Sequence, residues 1–299
     1  MIGKNTKRKR MITLVAIMMI AVLILTGCGG SGETPGKGSD DNEKPVLELG
    51  YVQWACANAN SHMVEALLEE KFDVEVNLRD MDAGLLWQSV ATGDIDFMVT
   101  AWLPGTHKAY YEKLNDEVVD LGPVYEGAAI GLVVPAYVDI DSIEDLNANA
   151  DKFDGKIIGI DASAGIMTAA DKALTDYGLD MELIQSSDAA MTAELKTAYE
   201  ANEWIVITGW APHWKFSAFD LKFLEDPKLS FGGEETINAV TRIGFADDYA
   251  EINEFLGNYS LTSAEFGSLI AIMEEYEDDN EAAKAWIEEN RDLVDSWFN

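Results

Sequence analysis

The chain has 299 residues, 48% of them hydrophobic, with 54 acidic against 21 basic residues and a formal charge of −33. Such a surface excludes nucleic-acid binding, because phosphates are held by Lys and Arg. It keeps a protein soluble, and its long-range field favours cations over anions.

In chain order, Lys4, Lys7, Arg8, Lys9 and Arg10 precede an uncharged apolar run over residues 11–25, which is followed by Thr26-Gly27-Cys28. The run is short beside the ~20 apolar residues of a membrane span. A basic start, an apolar middle and a small-residue end read as an export signal. The cysteine after Leu25-Thr26-Gly27 resembles the lipobox of bacterial lipoproteins. That resemblance implies cleavage before Cys28 and a lipid on its sulfur; the alternative is an uncleaved anchor helix. Losing five basic residues and no acid takes the formal charge from −33 to −38. Residues 28–45, rich in Gly, Ser, Asp and Glu, bury little and read as a tether. The globular part is expected at the extracytoplasmic face of the cell membrane. Past Cys28 the one remaining cysteine is Cys56. With Cys28 lipidated no internal disulfide forms, so the core carries the fold, and Cys56 reads as packed.

From residue 46 onward apolar periodicity alternates strand and helix. Strands are expected over 45–52, 74–78 and 95–100, with helices over 61–71 (Ser61 as cap), 84–91 (ended by Gly93) and 106–114. Residues 128–134 form an apolar run broken by Pro135 that reads as a crossing strand, and residues 142–146 start a short helix. Alternation then resumes: strands over 156–160, 183–186 and 205–208, helices over 166–177 and 190–200. Residues 239–245 can cross back, and four helices follow (249–256, 262–275, 280–290 and 293–298), with Trp286 and Trp297 on their apolar faces. The expected fold is α/β and two-lobed, each lobe a mostly parallel sheet flanked by helices. Lobe 1 is 46–130 plus 240–299, lobe 2 is 131–239, and two connections make a hinge over a cleft.

Two segments echo each other: Val99-Thr100-Ala101-Trp102-Leu103-Pro104 and Ile207-Thr208-Gly209-Trp210-Ala211-Pro212. Each puts a tryptophan at a strand end, with a proline two residues on. Trp54 follows the first strand in the same way, and open α/β sheets bind ligands beyond such ends. Trp87, Trp204 and Trp214 lie within or beside elements and read as packing residues. Three indoles suit a quaternary ammonium, which has a full charge and no hydrogen to donate; a ring face attracts it through its quadrupole. A stacked sugar is the alternative, but sugars need Asp, Asn or Arg at the strand ends, where these loops have few. For a carboxylate on the same ligand, Asp161-Ala162-Ser163-Ala164-Gly165-Ile166 offers free backbone N–H groups at a helix start, with Gly165 allowing close approach. His107, five residues after Trp102, is the second candidate. His62 and His213 lack comparable neighbours.

Six motifs together resemble the glycine-betaine-binding proteins of ABC importers, over essentially all of 46–299: Gly50-Tyr51-Val52-Gln53-Trp54, Ala101-Trp102-Leu103-Pro104-Gly105-Thr106-His107-Lys108, Gly131-Leu132-Val133-Val134-Pro135, Ser142-Ile143-Glu144-Asp145-Leu146, Gly159-Ile160-Asp161-Ala162-Ser163-Ala164-Gly165-Ile166-Met167 and Thr208-Gly209-Trp210-Ala211-Pro212-His213-Trp214. The resemblance implies a periplasmic-binding-protein fold (type II-like) that closes on its ligand. Trp54, Trp102 and Trp210 then correspond to the cage tryptophans, His107 to a carboxylate contact, and Gly165 and Ile166 to backbone donors. Some members carry the two halves in the opposite chain order. After Trp54 the residues 55–60 lack acidic groups found near there in some relatives, which bears on the exact ligand and not on its class. Expected partners are a betaine, a membrane permease with its ATPase subunit, and the membrane itself through Cys28; a monomer is expected. Choline, carnitine or proline betaine as ligand, or a sensor role, are the alternatives. No metal-ligand spacing and no Gly-x-Ser-x-Gly elbow is present, so neither cofactor nor enzymatic activity is expected.

Overall fold

The computed structural model describes residues 44–298. The basic start, the apolar run, Cys28 and nearly all of the tether lie outside them. Among the described residues no helix is long and apolar enough to cross a membrane.

The first half of the sheet is built from β1 (Val46–Tyr51), β2 (Glu75–Asp80) and β3 (Phe97–Leu103), paired in parallel in the order β2-β1-β3. The second half repeats the pattern: β5 (Lys156–Ile158), β6 (Glu182–Ile184) and β7 (Ile207–Ala211) run parallel in the order β7-β5-β6. Two long strands join the halves. β4 (Val118–Pro135) pairs antiparallel first with β9 (Glu235–Arg242) and then with β7 and the short β8 (Leu221–Phe223), while β9 also pairs antiparallel with β3. The two crossings anticipated near 128–134 and 239–245 are therefore present as β4 and β9. Each lobe combines three parallel strands with antiparallel ones from the crossing, as in a two-lobed periplasmic-binding-protein fold.

Helices cover the strand edges by apolar stripes. α1 (Ala55–Lys71) seals β1, β2 and β3 with Met63, Val64, Leu67 and Leu68, all fully buried. α2 (Ala83–Thr92) ends on Gly93 in the left-handed region at φ 79°, and α3 (Lys108–Leu114) follows β3. In the second half α4 (Gly165–Tyr177) and α5 (Asp188–Ala201) follow β5 and β6, and α6 (Lys215–Ala218) is a single turn after β7. The C-terminal part is helical: α7 (Phe245–Asp248), α8 (Ala250–Asn258), α9 (Ser263–Met273), α10 (Asp279–Glu289) and α11 (Arg291–Ser296). α9 opens on a capping box between Thr262 and Glu265 and, with α10, packs onto α1. Trp286 and Trp297 are buried there, as expected.

Beyond shifts of a few residues at strand ends, three differences from the sequence expectation stand out. The first helix starts at Ala55, six residues before Ser61; Ser61 is buried inside it with no partner for its hydroxyl, so it caps nothing. Small residues at Ala55, Ala57 and Ala59 let that first turn sit tight against the core, which a search for large apolar residues overlooks. β4 begins ten residues before the apolar run that announced it, because Gly122 and Gly127 take positive φ and the register slips beside them. β8 has three residues and no distinguishing pattern.

Candidate ligand-binding site

The paired tryptophan motifs meet across the gap between the half-sheets. Trp102 is the second-last residue of β3, and Trp210 lies in β7, where it pairs with Ile130 of the crossing strand. Trp54 is the N-cap of α1, three residues past the end of β1. The three indoles line one small cavity together with Thr106, Ile130, Ile160, Ala164, Gly165 and Ile166. The free space between the rings is far smaller than an ordinary ligand pocket, which limits an occupant to a small molecule. Both Trp-x-Pro motifs carry a cis peptide before the proline, at Leu103–Pro104 and Ala211–Pro212.

The indole N–H groups differ in what they meet. Trp54 Nε1 donates to Asp161 Oδ2 at 3.2 Å, whereas Nε1 of Trp102 and of Trp210 is buried without a partner. The ε-ammonium of Lys215 stands 3.8 Å from the centroid of the Trp210 ring, and the side chain is wholly buried. One face of Trp210 is thus occupied by the chain's own cation, which leaves the other face for a ligand.

Gly165 and Ile166 open α4, where backbone N–H groups have no intrahelical acceptor and the helix dipole favours an anion. Gly165 is required by packing. A Cβ there would come 2.6 Å from Thr106 Cγ2 and 2.8 Å from the Thr106 carbonyl carbon, and closer still to its oxygen. The loop bearing Thr106 is itself fixed by Glu235 at the start of β9. Its carboxylate accepts the N–H groups of Gly105 and Thr106 at 3.0 and 2.8 Å and the Thr106 hydroxyl at 2.6 Å.

His107 is the N-cap of α3 and sits one layer behind the cavity wall, next to Thr106. Its Nδ1 accepts the Trp102 N–H at 3.0 Å, so the proton is on Nε2, a buried donor with no acceptor in the chain. Burial holds its pKa down to about 3, so the ring is neutral at physiological pH. Its ring centroid lies 5.9 Å from that of Trp54 and 6.0 Å from that of Trp87, which is wholly buried as a packing residue.

The sequence reading left out a buried polar cluster behind the cage. His213 Nδ1 accepts the Lys215 N–H at 3.1 Å, so Nε2 carries the proton and donates to the Asp188 carboxylate at 3.1 Å. Burial pulls His213 down to about 4 and Lys215 to about 8. Burial pushes the Asp188 carboxyl up, but the His213 bond and the nearby Lys215 charge outweigh it and hold the group below its usual range. Cys56 lies in the same region, its thiol pushed up to about 12 by burial, in keeping with a packed and unreactive residue. Among the described residues no group of three or more His, Cys, Asp or Glu is placed to hold a metal.

With the geometry in view, similarity to known proteins places the chain. Residues 45–289 match the family model described as the substrate binding domain of the ABC-type glycine betaine transport system. The glycine betaine/carnitine transport binding protein GbuC of Listeria monocytogenes is 39% identical over 177 residues, which is 58% of this chain and 57% of that relative, little more than half its length. The structure of lactococcal OpuAC, closed and complexed with glycine betaine, superposes with a TM-score of 0.81 at 37% identity, covering 86% of this chain and 100% of that one. The glycine betaine/L-proline-binding protein ProX of Borrelia burgdorferi gives 0.80 at 36% identity, covering 84% and 96%. The chain therefore belongs to the family of substrate-binding domains of ABC-type glycine betaine transport systems.

Proposed function

We propose that this chain captures glycine betaine outside the cytoplasm and presents it to a membrane permease driven by a separate ATPase subunit. The observation that carries the reading is the convergence of Trp54, Trp102 and Trp210 on one small cavity, with the start of α4 in its wall. The indole faces take the trimethylammonium, and the N–H groups of Gly165 and Ile166 take the carboxylate. His107 is the further candidate for the carboxylate: it lies one layer behind the wall, and its buried Nε2–H has no internal acceptor and would reach the ligand only by a small shift of that wall. The moving bodies are the lobes 46–130 plus 240–299 and 131–239, hinged where β4 and β9 cross. Ligand touches both lobes only when they meet, so binding shifts the population toward closure.

A lipid on Cys28 and the tether to residue 45 would hold the monomeric binding domain near its permease. Uptake serves osmoprotection or nutrition. A longer quaternary amine such as carnitine is a second reading. It is favoured by Thr106, Ile130 and Gly165, which line both the cage and an adjoining groove of about 570 Å³.

Calorimetry on the Trp210→Ala variant tests the proposal. Each cage contact contributes roughly 0.5–2 kcal/mol, and the ring's own apolar contacts add to it, so a loss of more than tenfold in glycine betaine affinity is expected. Unchanged affinity removes Trp210 from the cage.

A further inference from the structure

The cage rings are placed by contacts across the cleft that never touch the cavity. Asp188, the first residue of α5, sends its carboxylate into the opposite lobe, where Oδ2 accepts the N–H of Ala55 at 3.1 Å. Ala55 is the first residue of α1 and directly follows Trp54. An anion at that position meets an unsatisfied backbone donor and the positive end of a 17-residue helix at once. On its own side, Asp188 is held by His213 Nε2 and by Thr192 Oγ1 at 3.3 Å, with the buried Lys215 ammonium close enough to act on it. Lys215 in turn lies over Trp210. One carboxylate thus ties the helix behind Trp54 to the cluster behind Trp210. Two more bonds cross the same gap, Trp54 Nε1 to Asp161 Oδ2 and Tyr110 OH to the Ser163 carbonyl at 2.8 Å, but in both the donor is a side chain and not the backbone of a helix start.

We infer that Asp188 is a closure latch, a positioning residue that raises ligand affinity by stabilising the closed form without touching the ligand. This rests on the proposed betaine-binding function. When the lobes part, the carboxylate keeps His213 and Thr192 and loses Ala55, so its bond to α1 contributes to the closed state alone. It follows that the latch acts on ligand release and not on capture.

The test is a double-mutant cycle on Ala55→Pro and Asp188→Ala. Proline is well tolerated at the first position of a helix, and Trp54 already has the extended φ of −106° and ψ of 143° that the residue before proline prefers. The substitution removes the Ala55 N–H and puts a ring carbon in its place. Each single variant is expected to bind glycine betaine at least tenfold more weakly by calorimetry. In stopped-flow the release rate should carry that change, with the association rate within about threefold. Because both break the same bond, the double variant is expected to be no weaker than the worse single one.

A Kd for Ala55→Pro within twofold of the wild type overturns the latch. So does a double variant restored to wild-type affinity, which would mean that the proline merely collides with Asp188. Melting of the unliganded variants separates a loss of fold from a loss of closure; Ala55→Pro is expected to melt with the wild type. If the wild-type chain binds no quaternary amine, the proposed function fails by itself. The latch is then decided by spin-label distances between Asp73→Cys and Asp151→Cys without ligand. A closed population that falls in Ala55→Pro supports it, and an unchanged distribution overturns it.

Discussion

Replacing Gly165 by alanine adds one methyl group where the lobes meet. The new carbon would stand 2.6 Å from Thr106 Cγ2 and 2.8 Å from the Thr106 carbonyl carbon, against ordinary contacts of 3.4–4 Å. The obstacle is largely backbone, pinned by three hydrogen bonds to Glu235, so it cannot turn aside. Closure must stop roughly 1 Å short, or the loop must strain. Overpacking of this kind costs about 1–3 kcal/mol, which corresponds to a 5- to 150-fold loss in affinity. The open form meets no such obstacle, and alanine is the better helix former. Calorimetry with glycine betaine, beside thermal melts with and without ligand, reads both effects. The expected result is weaker binding, an unliganded melting point no lower than that of the wild type, and a smaller ligand-induced rise. Binding within twofold of the wild type would refute the reasoning, as would an unliganded protein destabilised in parallel.

His107→Ala is expected to weaken glycine betaine more than choline, since choline lacks the carboxylate; equal loss in calorimetry argues against an Nε2–H contact. The two buried histidines make stability acid-sensitive. Burial holds His107 and His213 near 3 and 4 in the folded chain, below the 6.5 of a free imidazole. As pH falls from 7 to 5 the unfolded chain takes up protons that the folded chain refuses. Stability should therefore fall by about 4 kcal/mol over that interval, at about 1.4 kcal/mol per unit and group below 6.5. Urea unfolding at pH 7, 6 and 5 measures this, and His107→Gln should remove about half of the slope. A flat profile contradicts the neutral buried rings.

Much of the site was legible because it is carried by local signals. A tryptophan at the end of an apolar strand, repeated at Trp102 and Trp210 with the same following proline, is visible to any reader of periodicity, and the three rings do share a cavity. The Gly165-Ile166 helix start was equally local. What stayed hidden depends on distance along the chain. Asp188 lies 133 residues from Ala55 and Glu235 lies 129 from Thr106, and each looks in sequence like one more acid among 54. Lys215 carries no sequence signal of burial, yet it is wholly buried beneath an indole. The charge that favours its ammonium, the Asp188 carboxylate, comes from another element, which no window of sequence contains. The early start of β4 was masked by Gly122, Pro123 and Gly127, residues that normally break strands and here bend a long one.

The account turns on recognition of charge by ring faces, and a neutral isostere isolates that property. 3,3-Dimethylbutanoate keeps the shape and the carboxylate of glycine betaine but has carbon in place of the cationic nitrogen. Three desolvated cage contacts at roughly 0.5–2 kcal/mol each should make it bind at least tenfold more weakly than glycine betaine in side-by-side calorimetry. Equal affinity of the two would contradict the cage as the basis of recognition.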